Sequence, residues 1–135
     1  MHEIRLSSTR NTEIINITDK VAAAVANSGV KDGICLVFAP HTTAAILVME
    51  ADGLVEKDVL NSLSNLVPKT AKYVHSHSSD SGHGAAHVLS AVLSPSKAVP
   101  VVGGKLHLGT WQSIVFCELD GPRSDRRVIV QVVGK

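Results

Sequence analysis

Short runs of consecutive apolar residues set the strongest constraint on this chain. GICLVFA (Gly33–Ala39) and AAILVME (Ala44–Glu50) are two of them, and QSIVFCEL and RRVIVQVV are two more. A strand points successive side chains to opposite faces, so a run of this kind must be covered on both sides. In RRVIVQVV, Val128, Val130 and Val132 point one way and Ile129 and Val133 the other, with Gln131 the polar exception. The cover must come from small aliphatic residues, because hydrophobic residues make up 44% of the chain and aromatics only 3%.

Helices supply part of that cover. Thr18 reads as an N-cap for the helix DKVAAAVANS, which Gly29 ends, and Val21, Ala24, Val25 and Ser28 form its small-residue face. Asp52 can cap a helix over about Gly53–Val67, closed by Pro68, with Val55, Val59, Leu63 and Leu66 on one stripe widened by Leu60. Tyr73–Gly84 is rich in Ser, His and Gly and reads as a loop. A third helix over about Ala85–Leu93 is expected to bury Ala85, Val88, Leu89 and Val92, leaving His87, Ser90 and Ser94 on its other side.

HEIRLSS and TEIINI alternate and read as strands about a turn at Arg10–Asn11. AVPVV is another strand, Gly103–Gly104 a turn, and DGPRSD a hairpin loop joining the last two strands. The order is not a regular βαβ alternation. It predicts a single α+β domain over residues 1–135, with mixed or antiparallel sheets and about three short helices. Three short helices are too few for every apolar strand face, so subunit contacts are expected to cover the remainder.

Net charge is +1, which gives no general attraction to nucleic acid or membranes. No run approaches a membrane span, and MHEIRLSST lacks the apolar core of a signal peptide. Cys35 and Cys117 sit inside apolar runs and read as buried thiols, as in a reducing cytoplasm.

Seven histidines are the main chemical resource: His2, His41, His75, His77, His83, His87 and His107. Neutral imidazole binds metals and its pKa suits acid–base work. His83 and His87 in HGAAH have the spacing that places two rings on one side of a helix, but the motif lacks a general-base Glu, and Gly82 and Gly84 make helix at His83 uncertain. The alternative is a solvated loop followed by a polar helix face. His41 follows an all-apolar strand, a rigid place for a functional group, or simply a turn. Glu50 and Asp58 can serve as ligands, bases or anchors, or as a helix-dipole partner and a solvated face. In LGTWQSI, Trp111 and Gln112 can stack on and hydrogen-bond a heteroaromatic ring, or Trp111 can plug the core. Arg123, Arg126 and Arg127 cluster in DGPRSDRR, where guanidinium forks suit phosphate or form a charged loop tip. No glycine-rich phosphate loop of the P-loop or Rossmann kind occurs.

HTTAAILVMEAD, the Y-x-H of Tyr73–His75, AHVLSAVLSPS, LGTWQSI and ELDGPRSDRRVIVQVVG together resemble the YjbQ-like family of secondary thiamine-phosphate synthase enzymes, long catalogued as uncharacterised. The resemblance runs from about residue 33 to the C-terminus and more loosely to the start. It implies a homotrimer of α+β subunits in the cytoplasm. It also implies a pocket built on His41, His75 and His87, holding a divalent metal, zinc or magnesium, beside the lone indole. His77, His83 and His107 match no family motif position. The implied activity is that of a transferase acting on small phosphorylated metabolites: a thiazole nitrogen attacks an aminopyrimidine methyl carbon and pyrophosphate leaves. On this reading Arg123 aids the phosphates, Trp111 and Gln112 line the ring slot, and Glu50 or Asp58 orients ligands or moves a proton. The rivals are a metal- or metabolite-binding protein without turnover and a metal-dependent hydrolase on the same histidines.

Overall fold

The computed structural model describes residues 1–75 and 82–135. The described elements run β1 (His2–Leu6), β2 (Glu13–Asn16), α1 (Thr18–Ser28), β3 (Asp32–Phe38), β4 (Ala44–Met49), α2 (Gly53–Leu66), α3 (His83–Leu93), β5 (Ser96–Val102), β6 (Lys105–Leu106), β7 (Ser113–Glu118) and β8 (Arg126–Gly134). The class is α+β, as the element order predicts. One sheet has the order β1-β8-β3-β5-β6 and the other β2-β7-β4, and the described pairings are all antiparallel.

The smaller sheet explains its own sequence. Ala44, Ile46, Ile114 and Phe116 face the first core, which they share with Val37, Val99, Val128 and Val130 of the larger sheet and with Val21 and Val25 of α1. Ala45, Val115 and Cys117 face a second core, closed by Ala86 and Leu89 of α3 and by Val59, Leu60 and Leu63 of α2. AAILVM and SIVFCE are therefore apolar at consecutive positions because the sheet is covered on both faces. At roughly 1.5–3 kcal/mol per large side chain removed from water, this central layer is the main source of cohesion.

The larger sheet is different. Cys35 and Val37 of β3 are buried, while Ile34 is 57% exposed and Leu36 and Phe38 are also open. Val102 and Val133 are exposed too, and Ile34 pairs with Val133 on one side and with Pro100 on the other. Among the described residues, nothing covers Ile34, Val102 and Val133 on this outer face.

Four local expectations change. The segment between β7 and β8 is not a hairpin, because β7 belongs to the smaller sheet and β8 to the larger. The buried Glu118–Arg126 ion pair ties the two sheets at this crossing. Thr18 is the first residue of α1 rather than its cap: Ile17 holds the cap position, and Asn16 Oδ1 accepts the Thr18 N–H at 3.0 Å. In α2, Asp52 does cap, accepting from Leu54 N and Val55 N, but Leu66 lies in solvent beyond the packed stripe. In α3, Val88 and Val92 are exposed and Ser90 is buried, donating to the Ala44 carbonyl at 2.7 Å. The helix lies with Ala86, Leu89 and Ser90 toward the sheet, where apolar side chains join the second core and one hydroxyl satisfies a strand carbonyl.

Candidate metal centre

The β3–β4 loop, the end of β7, the start of β8 and the first turn of α3 converge at one end of the two sheets. They enclose an open cleft of about 620 Å³ lined by His41, Thr43, His83, His87, Arg123 and Arg126, among others. Two glycines bring the histidines here. Gly82 takes a positive φ of 86° as the N-cap of α3, a conformation open to glycine, so the helix starts at His83. His83 and His87 then stand one turn apart on one side. Gly84 lies so close to the preceding segment that a Cβ would sit 2.7 Å from Tyr73 Cβ and 2.8 Å from the His75 carbonyl oxygen. This close approach is what sets His75 against the helix.

The result is a cluster of three imidazoles, His75, His83 and His87, whose nearest ligand nitrogens all lie within 4.8 Å of one another. Ring centroids are 4.6 Å apart for His83–His87, 4.8 Å for His75–His87 and 5.3 Å for His75–His83. The Nε2 atoms of His83 and His87 are 3.1 Å apart. Zinc–nitrogen bonds of about 2.0–2.1 Å in a tetrahedron put ligand nitrogens about 3.3 Å apart. The cluster can therefore hold a divalent ion of the zinc class once its nitrogens close from within 4.8 Å to about 3.3 Å. Its all-nitrogen donor set suits zinc better than magnesium, which prefers oxygen.

His41, expected as a ligand, lines the same cleft, but its Nε2 accepts the Arg127 N–H at 3.0 Å, which commits that lone pair. Burial and then the nearby Arg126 hold its pKa below 6.5, so at neutral pH the ring is an uncharged acceptor. His83, to which the resemblance gives no role, takes the third place in the cluster. The visible signal was the HGAAH spacing, and the hidden one was that Gly82 begins the helix rather than breaking it. His77 lies outside the described residues. His107 lines a separate surface pocket with Lys97 and Gln112.

The other expected residues separate. Arg123 is in the cleft wall, its side chain 44% exposed. Asp58 lies on the exposed face of α2 and does not line the cleft. In the β4–β7 ladder Ala44 faces Glu118 at the cleft end and Met49 faces Ser113 at the other. Gln112 and Glu50 therefore lie about 20 Å from the cleft end, at roughly 3.3 Å per residue. Trp111, 73% exposed, is beside them rather than in the core, and the Gln112 side chain accepts the Gly109 N–H at 2.8 Å. One chain does not place the indole beside the imidazoles.

Local motif reading missed Glu118, a carboxylate inside an otherwise apolar strand. Glu118 is fully buried. It accepts from Arg126 Nε at 2.9 Å, Ser8 Oγ at 2.6 Å, and the N–H groups of Leu119 and Asp120 at 3.1 Å each. Burial pushes its carboxyl upward, but the hydrogen bonds from Arg126, Ser8 and Asp120 prevail and hold it below 4.5. Arg126 also donates to Thr43 Oγ1 at 2.8 Å and to its carbonyl, so its charge is spent on structure. Cys35 and Cys117 are free and buried, their thiols pushed up by burial to about 11 and about 12 and therefore unreactive.

An α+β double-sheet domain with a three-histidine cluster at a sheet end is the class this architecture defines. The chain belongs to the family described as UPF0047 protein YjbQ-like, whose model matches residues 2–135. It is 40% identical over 133 residues to a UPF0047 protein of Methanothermobacter thermautotrophicus, covering 98% of this chain and 91% of that one. It is 38% identical over 135 residues to the UPF0047 protein YugU of Bacillus subtilis, covering 97% of each. A protein of unknown function from Sulfolobus solfataricus superposes with a TM-score of 0.95 at 36% identity, over 99% of this chain and 96% of that one. A family member from Clostridium acetobutylicum gives 0.91 at 40% identity, over 98% and 100%.

Proposed function

We propose that His75, His83 and His87 hold a divalent cation, zinc by preference, at the wall of a cleft that receives a small phosphorylated metabolite. The observation that carries this is the convergence of three imidazole nitrogens within 4.8 Å, with His83 and His87 lining a cleft that also presents Arg123. The cation would supply charge to a departing phosphate group or acidify a bound water. Arg123, held by Asp120 through Nε and Nη2, would offer its remaining N–H groups to phosphate oxygens. His41, kept neutral, would offer a rigid wall and carry no competing charge.

The particular reaction we propose is thiamine-phosphate formation, a transfer implied by the family resemblance. A C–N bond forms between the thiazole nitrogen and the pyrimidine-bound carbon, and the C–O bond to pyrophosphate breaks with its electron pair. This needs a slot for the pyrimidine ring. Trp111 and Gln112 would supply it from a neighbouring copy, since within one chain they lie at the far end of the β4–β7 ladder. The uncovered outer face at Ile34, Leu36, Phe38 and Val133 is where we place the contacts of the proposed homotrimer. Hydrolysis of a phosphate ester is the second reading, favoured because Trp111 and Gln112 do not line the described cleft.

The test is zinc loading followed by assay with both thiamine precursors and, separately, with simple phosphate esters. Thiamine phosphate that is lost in His87→Ala with the fold intact supports the synthase. Phosphate release without condensation supports the hydrolase. Metal uptake with neither product reduces the reading to a binding protein, and no metal uptake defeats it. A light-scattering mass of one chain at micromolar concentration would remove the trimer.

A further inference from the structure

Asp120 stands between the two halves of the cleft. Its Oδ2 lies 2.9 Å from His83 Nδ1 and 2.9 Å from Arg123 Nη2. Its main-chain carbonyl accepts Arg123 Nε at 2.9 Å. Its own N–H is held by buried Glu118 at 3.1 Å. Glu118 therefore fixes the peptide, and the peptide fixes both the carboxylate and the guanidinium. The side chain is only 14% exposed, and that of His83 17%.

An ionised carboxylate accepts and does not donate, so the His83–Asp120 bond requires the proton on Nδ1. In the neutral ring, the form that can bind a cation, the lone pair is then on Nε2, the atom 3.1 Å from His87 Nε2. Carboxylate partners of this kind fix the tautomer and raise the basicity of a metal-binding imidazole. The same carboxylate also limits where Arg123 can point. The geometry points to Asp120 as a positioning residue for the site. Resting on the metal reading above, it selects the His83 tautomer that presents Nε2 to the cation and holds Arg123 toward the anionic end of the substrate. A change at one arm is thereby felt at the other.

Zinc affinity and ring protonation test this in the full-length protein. Nitrogen-15 NMR of the zinc-loaded native protein is expected to show His83 with Nδ1 protonated and Nε2 coordinated. Asp120→Ala is expected to weaken zinc binding by about 10–100-fold, with a melting temperature that keeps the chain folded under assay. Asp120→Asn keeps an acceptor but loses the charge, and is expected to fall between the native protein and Asp120→Ala. Native-like zinc affinity in folded Asp120→Ala, or a His83 ring protonated on Nε2 in the zinc-loaded protein, overturns the inference while leaving the metal site standing. Failure of the native protein to bind zinc defeats the metal reading instead. If Asp120→Ala does not fold, Asp120→Asn and the native NMR spectrum decide.

Discussion

At the cleft end of the β4–β7 ladder, Ser8, Thr43, Glu118, Asp120, Arg123 and Arg126 are cross-linked through buried or half-buried hydrogen bonds. At the other end, Trp111, Gln112 and Glu50 stand in solvent, with Gln112 satisfied by its own turn. Both ends carry side chains suited to chemistry. Only the first pre-organises them, and pre-organisation is what a site needs to act at little cost in ordering. A lone carboxylate or indole at a strand end is a resource that requires a second surface before it can do anything.

The largest expected difference between the ends is in stability. Glu118→Ala leaves Arg126 buried and uncompensated, and should cost about 3–5 kcal/mol in urea unfolding. A loss below 1 kcal/mol would mean that the pair is better solvated than its burial indicates. Gly84→Ala should cost about 1–3 kcal/mol through overpacking against Tyr73, and should also weaken metal binding by displacing His75. Unchanged metal affinity in that variant would break the link between the glycine and the cluster.

Acid should act on the cleft end in two stages. His41 has its pKa lowered on folding, so its contribution is complete above 6.5 and is lost as pH falls through 6.5 toward the folded value. Glu118 is also lowered, so its contribution is complete above 4.5 and fades as pH falls further through its folded value. Subtracting the stability–pH curve of metal-free His41→Gln from that of the metal-free native chain should isolate the first stage. A flat difference curve would contradict the assignment. The smallest effect is expected at the far end: Trp111→Ala should change the stability of a single chain by no more than about 0.5 kcal/mol. It should leave zinc affinity untouched. A large loss of melting temperature together with a change in assembled mass would mean that Trp111 holds the copies together as well as lining the proposed slot.

The double-layered core was legible because consecutive apolar residues on a strand admit few solutions. Ala44–Met49 and Ser113–Glu118 announce cover on both faces, and the smaller sheet has it. The β7–β8 crossing was not legible. Asp120-Gly121-Pro122 carries turn chemistry whether the chain returns to the same sheet or passes to another, and the choice rests on the distant strand partners, β2 and β4 for β7 and β1 and β3 for β8. His75 and His87 were named by family resemblance, whereas His83 depended on where α3 begins. Gly82 can break a helix or cap one, and local sequence does not distinguish the two. Asp120 was hidden for a related reason, since its partner His83 lies 37 residues away in sequence.

Zinc titration by calorimetry of the native chain, His83→Ala and His41→Ala, each checked for folding, tests the central claim most directly. A cation held by His75, His83 and His87 predicts one ion bound per native chain, binding retained in His41→Ala, and a loss in His83→Ala greater than the roughly 100-fold ceiling typical of a supporting residue. Binding that survives His83→Ala and disappears in His41→Ala would contradict it.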